Sequence, residues 1–137
     1  METDCNGIVA ICGSMARSWP QMQAAKVSFE RAGYIVLLPT DPESSGIFLE
    51  KPYMSKDLLE NLHQTRISMA TEVYVVNVGG YVGESTLKEI MYAECLDKPI
   101  TYAYPSMQRY SSWDNYEEFI QKKFHITELE ESTDGTA

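Results

Sequence analysis

The chain has 137 residues, with 20 acidic against 11 basic side chains and a formal charge of −9. That length suits one domain able to build a core without disulfide or metal staples, and 44% hydrophobic residues exclude general disorder. No apolar run approaches the roughly 18 residues of a membrane span, and the acidic balance argues against gripping duplex DNA or anionic lipid, although a local anion pocket stays open.

Taken in chain order, residues 7–12, GIVAIC, form a short β-branched run of the kind buried on both faces of a parallel sheet, closed by Gly13-Ser14. A helix follows over 19–32, with Pro20 in its first turn, apolar Met22, Ala25, Val27, Phe29 and Ala32 recurring at mixed three- and four-residue steps, and Gly33 at its stop. Residues 34–38 repeat the buried-strand pattern, and the turn formers of 40–52 read as an exposed loop. A second helix is expected over 55–71, capped by Ser55, with Leu58, Leu59, Leu62, Ile67 and Met69-Ala70 as its stripe. Residues 73–78 are a third strand, 79–83 a glycine-rich connection, 86–96 a helix and 100–104 a fourth strand. A last helix is expected over 113–123, with Trp113, Tyr116, Phe119 and Ile120 inward, and Tyr110 beside them. The chain then divides into one α/β domain, 1–127, and an acidic flexible tail, 128–137.

Strands alternating with helices specify right-handed βαβ units and a mostly parallel sheet covered on both faces. Ligands of such sheets bind outside the carboxyl ends of the strands, which directs attention to two loops. In the first, Gly13, Ser14, Met15 and Arg17 open a helix whose amides and dipole suit a phosphate or carboxylate, with Arg17 as a bidentate partner; equally, Gly13 relieves a turn, a serine caps the helix and Arg17 is solvated. In the second, Asn77, Gly79, Gly80, Tyr81, Gly83, Glu84, Ser85 and Thr86 let backbone approach a ligand closely and lead to Glu89. Thr86-Leu87-Lys88-Glu89 also matches a capping box, in which Glu89 serves its own helix start.

Cys5, Cys12 and Cys95 have irregular spacing and only two histidines accompany them, so no metal framework is indicated, and no organic cofactor is implied. Cys12 and Cys95 read as buried small hydrophobes and His63 as a surface or structural group. Tyr74, Tyr102 and Tyr104 read as core or sheet-edge residues, and Tyr81 as a residue able to stack on a base. The acidic N-terminus lacks the basic-then-apolar pattern of an export signal, so a cytoplasmic protein with reduced thiols is expected.

Strand one ending in Cys-Gly-Ser-Met, the segment 63–77 reading HQTRISMATEVYVVN, and the glycine-rich loop leading to Glu-Ile-Met-Tyr-Ala-Glu together resemble the nucleoside 2-deoxyribosyltransferase-like superfamily, which includes deoxynucleoside 5′-monophosphate N-glycosidases. The resemblance spans about residues 7–105. It implies a flavodoxin-like, Rossmann-like three-layer α/β sandwich with four to five strands, a homo-oligomer, and a nucleoside or nucleotide as small-molecule substrate. It makes Glu89 the nucleophile, sets Gly13 and Ser14 against the sugar or its phosphate, assigns Ser85 and Thr86 to the 5′-phosphate, and leaves Glu84 near the carboxylate that assists the departing base. The implied activity is cleavage or exchange of an N-glycosidic bond, because an ionised carboxylate stabilises positive charge developing at C1′ and can trap it as an ester. The alternative is a non-catalytic nucleotide-binding or sensor module of the same fold. It is favoured by a strand one, Ile8-Val9-Ala10-Ile11-Cys12, without the tyrosine that steadies the glutamate in transferases of that superfamily.

Overall fold

The computed structural model describes residues 5–104. The elements run β1 (Gly7–Gly13), α1 (Met15–Arg31), β2 (Tyr34–Leu37), α2 (Pro42–Ser45), α3 (Lys56–Met69), β3 (Glu72–Val76), a 3₁₀ turn (Val78–Gly80), α4 (Glu84–Cys95) and β4 (Ile100–Tyr102). All strand pairs are parallel, in the order β2-β1-β3-β4. Four strands carrying helices on both faces make this a three-layer α/β sandwich of the Rossmann and flavodoxin kind, as the alternation of elements requires.

Alternate residues of β1 and β3 explain the two cores. Ala10, Cys12, Val73 and Val75 turn to the side of α3 and α4, where they join Ile67, Leu87, Ile90 and Ala93. Ile11 and Val76 turn the other way, onto Met22 of α1, with Phe29 and Tyr74 at the margin and their rings edge-to-face at 5.1 Å. Both faces of the central strands are therefore apolar, which is why they read as unbroken hydrophobic runs rather than alternating ones.

Several boundaries differ from the sequence reading, each for a local reason. Ser14 caps α1 by accepting the Arg17 amide at 3.2 Å, so the helix starts at Met15 and Pro20 lies inside it rather than in its first turn. Val27 is 43% exposed, because α1 buries a narrow stripe around Met22. Ser55 does cap α3, accepting the Leu58 amide at 3.0 Å. Of the expected stripe, Ile67 and Ala70 are buried and Leu59 half-buried, but Leu58, Leu62 and Met69 are exposed, and His63 is buried in the same row as Ile67. Cys95, at the last turn of α4, is exposed, and only Cys12 of the two is buried. Tyr102 is buried and Tyr74 half-buried, but Tyr104 stands past the end of β4, 42% exposed.

The segment after β2 is folded rather than an open loop. Asp41 caps α2, Pro42 occupies its first turn, and Gly46 ends it at φ 67°, a left-handed conformation that suits glycine. The Ser45 carbonyl then accepts the amides of Tyr53 and Met54 at 3.0 and 3.2 Å, drawing 46–54 back against the domain. The helix expected over 113–123, with Tyr110, and the tail of 128–137 lie outside the described residues.

Candidate active site

The chain leaves β1 toward β2 on one side and reaches β3 on the other, so the carboxyl ends of β1 and β3 flank the point where the strand order reverses, the usual ligand position in such sheets. A cleft of about 540 Å³ opens there. One wall is the start of α1, at Ser14, Met15 and Ala16; another is the start of α4, from Gly83 through Thr86. The opposite wall is largely apolar, formed by Pro39, Ile47, Phe48, Pro52, Met54 and Leu59, with Lys56 and Glu60 of α3 beside it.

Gly13 is needed where it is, since a Cβ there would meet the Val76 carbonyl at 2.9 Å and Met22 Sδ at 3.0 Å. α4 begins at Glu84 with Gly83 as a cap that supplies no side chain, so its first-turn amides lack intrahelical partners and face an anion-receptive end. That start overturns the capping-box reading: Thr86 is already inside the helix and buried, and Glu89 lies in its second turn. Two helix N-termini thus meet at one cleft, with the hydroxyls of Ser14, Ser85 and Thr86 among its lining groups.

Glu89 reaches the cleft from α4. The residue keeps some exposed surface, yet its Oε1 is sealed from solvent and has no hydrogen-bond partner. Burial pushes the carboxyl up to about 8; the neighbouring Cys12 thiol opposes that rise, Glu60 adds to it, and Arg66 opposes it. Burial therefore holds Glu89 mostly neutral at pH 7, and the carboxylate forms readily only in mildly alkaline solution or beside a developing cation.

Around that carboxyl the sequence had missed a set of groups. The Cys12 sulfur, a His63 ring nitrogen and a Glu89 oxygen all lie within 4.8 Å of one another. His63 Nε2 is 3.0 Å from the Ile11 carbonyl, which can only accept, so Nε2 carries the proton and donates. Nδ1 is then free to accept from Arg66 Nη1, at 3.4 Å, while Arg66 Nη2 donates to Thr40 Oγ1 at 3.0 Å. Burial first and the Arg66 charge second lower the His63 pKa to about 4, keeping the ring neutral. With one nitrogen donating and the other accepting, the imidazole has no lone pair to offer a metal, and Cys12, His63 and Glu89 do not fit a metal ion as they stand. Burial and the adjacent Glu89 raise the Cys12 thiol well above its usual range, so it stays protonated and is no nucleophile. The helical spacing of His63 with Ile67 and Ala70 was the sequence signal that placed His63 on the buried face.

Of the candidate binding residues, Gly13, Ser14, Met15, Tyr81, Gly83, Glu84, Ser85 and Thr86 line the cleft together with Glu89. Arg17 does not line it; its guanidinium stacks over the Tyr81 ring at 3.9 Å from the centroid, and the Tyr81 hydroxyl in turn lies against Gly83. Asn77 is fully buried away from the cleft lining, where its amide donates to the Tyr104 carbonyl and accepts the Tyr104 amide, both at 2.9 Å. Gly79 and Gly80 form the 3₁₀ turn at φ 65° and 85° and likewise stand outside the lining.

Comparison with protein-family models, with curated proteins and with solved structures finds no match to this chain. No helix among the described residues is long and apolar enough to cross a membrane.

Proposed function

We propose that this protein cleaves or exchanges the N-glycosidic bond of a nucleoside or nucleoside 5′-monophosphate, as an enzyme of the nucleoside 2-deoxyribosyltransferase-like kind, with Glu89 as nucleophile. The observation that carries this reading is the Glu89 carboxyl at a cleft walled by two helix N-termini on one side and apolar side chains on the other. The helix starts suit a 5′-phosphate, and Ile47, Phe48 and Met54 suit the flat face of a base. A Glu89 oxygen attacks C1′ as the C1′–N bond breaks, its electrons leaving with the base, which takes up a proton; Glu84 and Glu60 are the other carboxyls at the cleft. Water then opens the glycosyl ester to complete hydrolysis, or a second base opens it to complete transfer, with retention in either case because displacement happens twice.

The test is incubation with a panel of nucleosides and 5′-monophosphates, with and without a second free base, followed by chromatography for released or exchanged base. Release by the native protein and none by Glu89→Gln supports the assignment; equal release by both removes it. One feature favours a second reading, a nucleotide-binding module without turnover: burial keeps the Glu89 carboxyl neutral near pH 7. Thermal stabilisation by a nucleotide with no base release at any pH up to 9 selects that reading.

A further inference from the structure

We propose that Cys12 is a positioning residue for Glu89, its thiol donating a hydrogen bond that aims the ionised carboxylate into the cleft. The proposal rests on Glu89 being the nucleophile, but the geometry behind it does not. Cys12 is the last buried side chain of β1 on the α3–α4 side, and its sulfur shares a volume within 4.8 Å with His63 and Glu89. The direction of the thiol proton follows by elimination. His63 Nε2, 3.6 Å from the sulfur, already carries a proton directed at the Ile11 carbonyl, and Nδ1 is taken by Arg66. The imidazole therefore offers the sulfur a donor and no acceptor. The Glu89 carboxyl is the remaining acceptor in the cluster.

The carboxyl side leads to the same pairing. Glu89 Oε1 is sealed from water and has no hydrogen-bond partner. Of the two side-chain donors in the cluster, the His63 Nε2–H is committed to the Ile11 carbonyl, which leaves the Cys12 thiol to turn to the carboxylate when it ionises. The charged groups facing it are Arg66 and Glu60, both on α3, which act in opposite directions, and neutral His63 completes the shell. A thiol suits this task because it is a weak donor. It fixes the direction of the oxygen while leaving most of the electron density available for attack on carbon.

The test is made first without substrate. Glutamate labelled with ¹³C at the carboxyl is followed by NMR across a pH titration in the native protein, Cys12→Ser and Cys12→Ala, the Glu89 signal being assigned by its loss in Glu89→Gln. Loss of the donor is expected to raise the Glu89 midpoint in Cys12→Ala by about one pH unit, a tenfold fall in its ionisation constant. The Cys12→Ser midpoint is expected at or below the native one. Should Cys12→Ala not fold, the infrared S–H stretch of the native protein, assigned by its loss in Cys12→Ser, is expected to shift to lower frequency as Glu89 ionises. Coincident midpoints in folded variants, or an S–H band indifferent to that ionisation, overturn the proposal. On an active protein, Cys12→Ala is expected to lower kcat about tenfold with KM little changed. An inactive native protein whose midpoints still separate as expected discards the enzymatic reading and keeps the thiol–carboxyl pairing.

Discussion

Glu89 and His63 titrate in opposite senses on folding, which makes stability against pH the most revealing measurement on this fold. Glu89 has its pKa raised from 4.5 to about 8, so from pH 4.5 to 8 the folded state holds a proton that the unfolded chain has lost, and its contribution to stability falls as pH rises. His63 has its pKa lowered from 6.5 to about 4, so between pH 4 and 6.5 the unfolded chain holds the extra proton and stability rises with pH. The two slopes cancel between about pH 4.5 and 6.5. Above 6.5 only Glu89 remains, and a window of about 1.5 pH units at about 1.36 kcal/mol per unit gives a loss of about 2 kcal/mol by pH 8. At roughly 3 °C per kcal/mol this is a fall of about 6 °C in Tm. In Glu89→Gln the alkaline decline is expected to disappear, and the rise from pH 4 to 6.5 that Glu89 had masked is expected to emerge. Melting curves of both proteins at half-unit steps from pH 4 to 9, at constant ionic strength, supply the comparison. Parallel curves for the two proteins between pH 6.5 and 8 would refute the account of a buried, unpartnered carboxyl.

Base release, if present, is expected to climb about tenfold per pH unit below about 8 in kcat/KM and then level, since the free enzyme must ionise Glu89; a rate that declines over that range instead identifies the group as an acid. Glu89→Gln is expected to lose at least about a thousandfold in turnover while still binding nucleotide, as read by single-turnover assays and thermal shift. Gly13→Ala forces a Cβ against Val76 backbone and Met22, and is expected to cost about 1–3 kcal/mol in chemical denaturation; an unchanged midpoint contradicts the close approach. Asn77→Ala removes both hydrogen bonds to the Tyr104 backbone and is expected to destabilise the protein by about 1–3 kcal/mol without altering KM. A raised KM with stability intact instead returns Asn77 to the ligand.

Strands were legible because the middles of β1 and β3 are covered on both sides, so successive positions had to be apolar and no phase had to be guessed. Helix phases were less so. In α3 two of the three leucines, Leu58 and Leu62, are exposed, and the buried row includes His63, a residue whose polarity argues for the surface until the Ile11 carbonyl and Arg66 are there to satisfy it. Around Glu89 the local pattern left a helix-capping role and a cleft-facing role both open, and the choice needed the true start of α4 at Glu84, which puts Glu89 in the second turn. The wall from Pro39 to Met54 could not be read from sequence, because it exists only once the Ser45 carbonyl has gathered the amides of Tyr53 and Met54. Arg17 was legible as a cation near the first loop, but its place over Tyr81 depends on two segments more than sixty residues apart.

That stack has a mechanical side. Arg17 grips the Tyr81 ring from α1 while the same tyrosine leans on Gly83 at the head of α4, so the two helix starts are strapped together beside the cleft. Entry of a bulky guest must then be accommodated by yielding of the far bank, where Phe48 is 62% exposed and the chain is tethered chiefly by the Ser45 carbonyl.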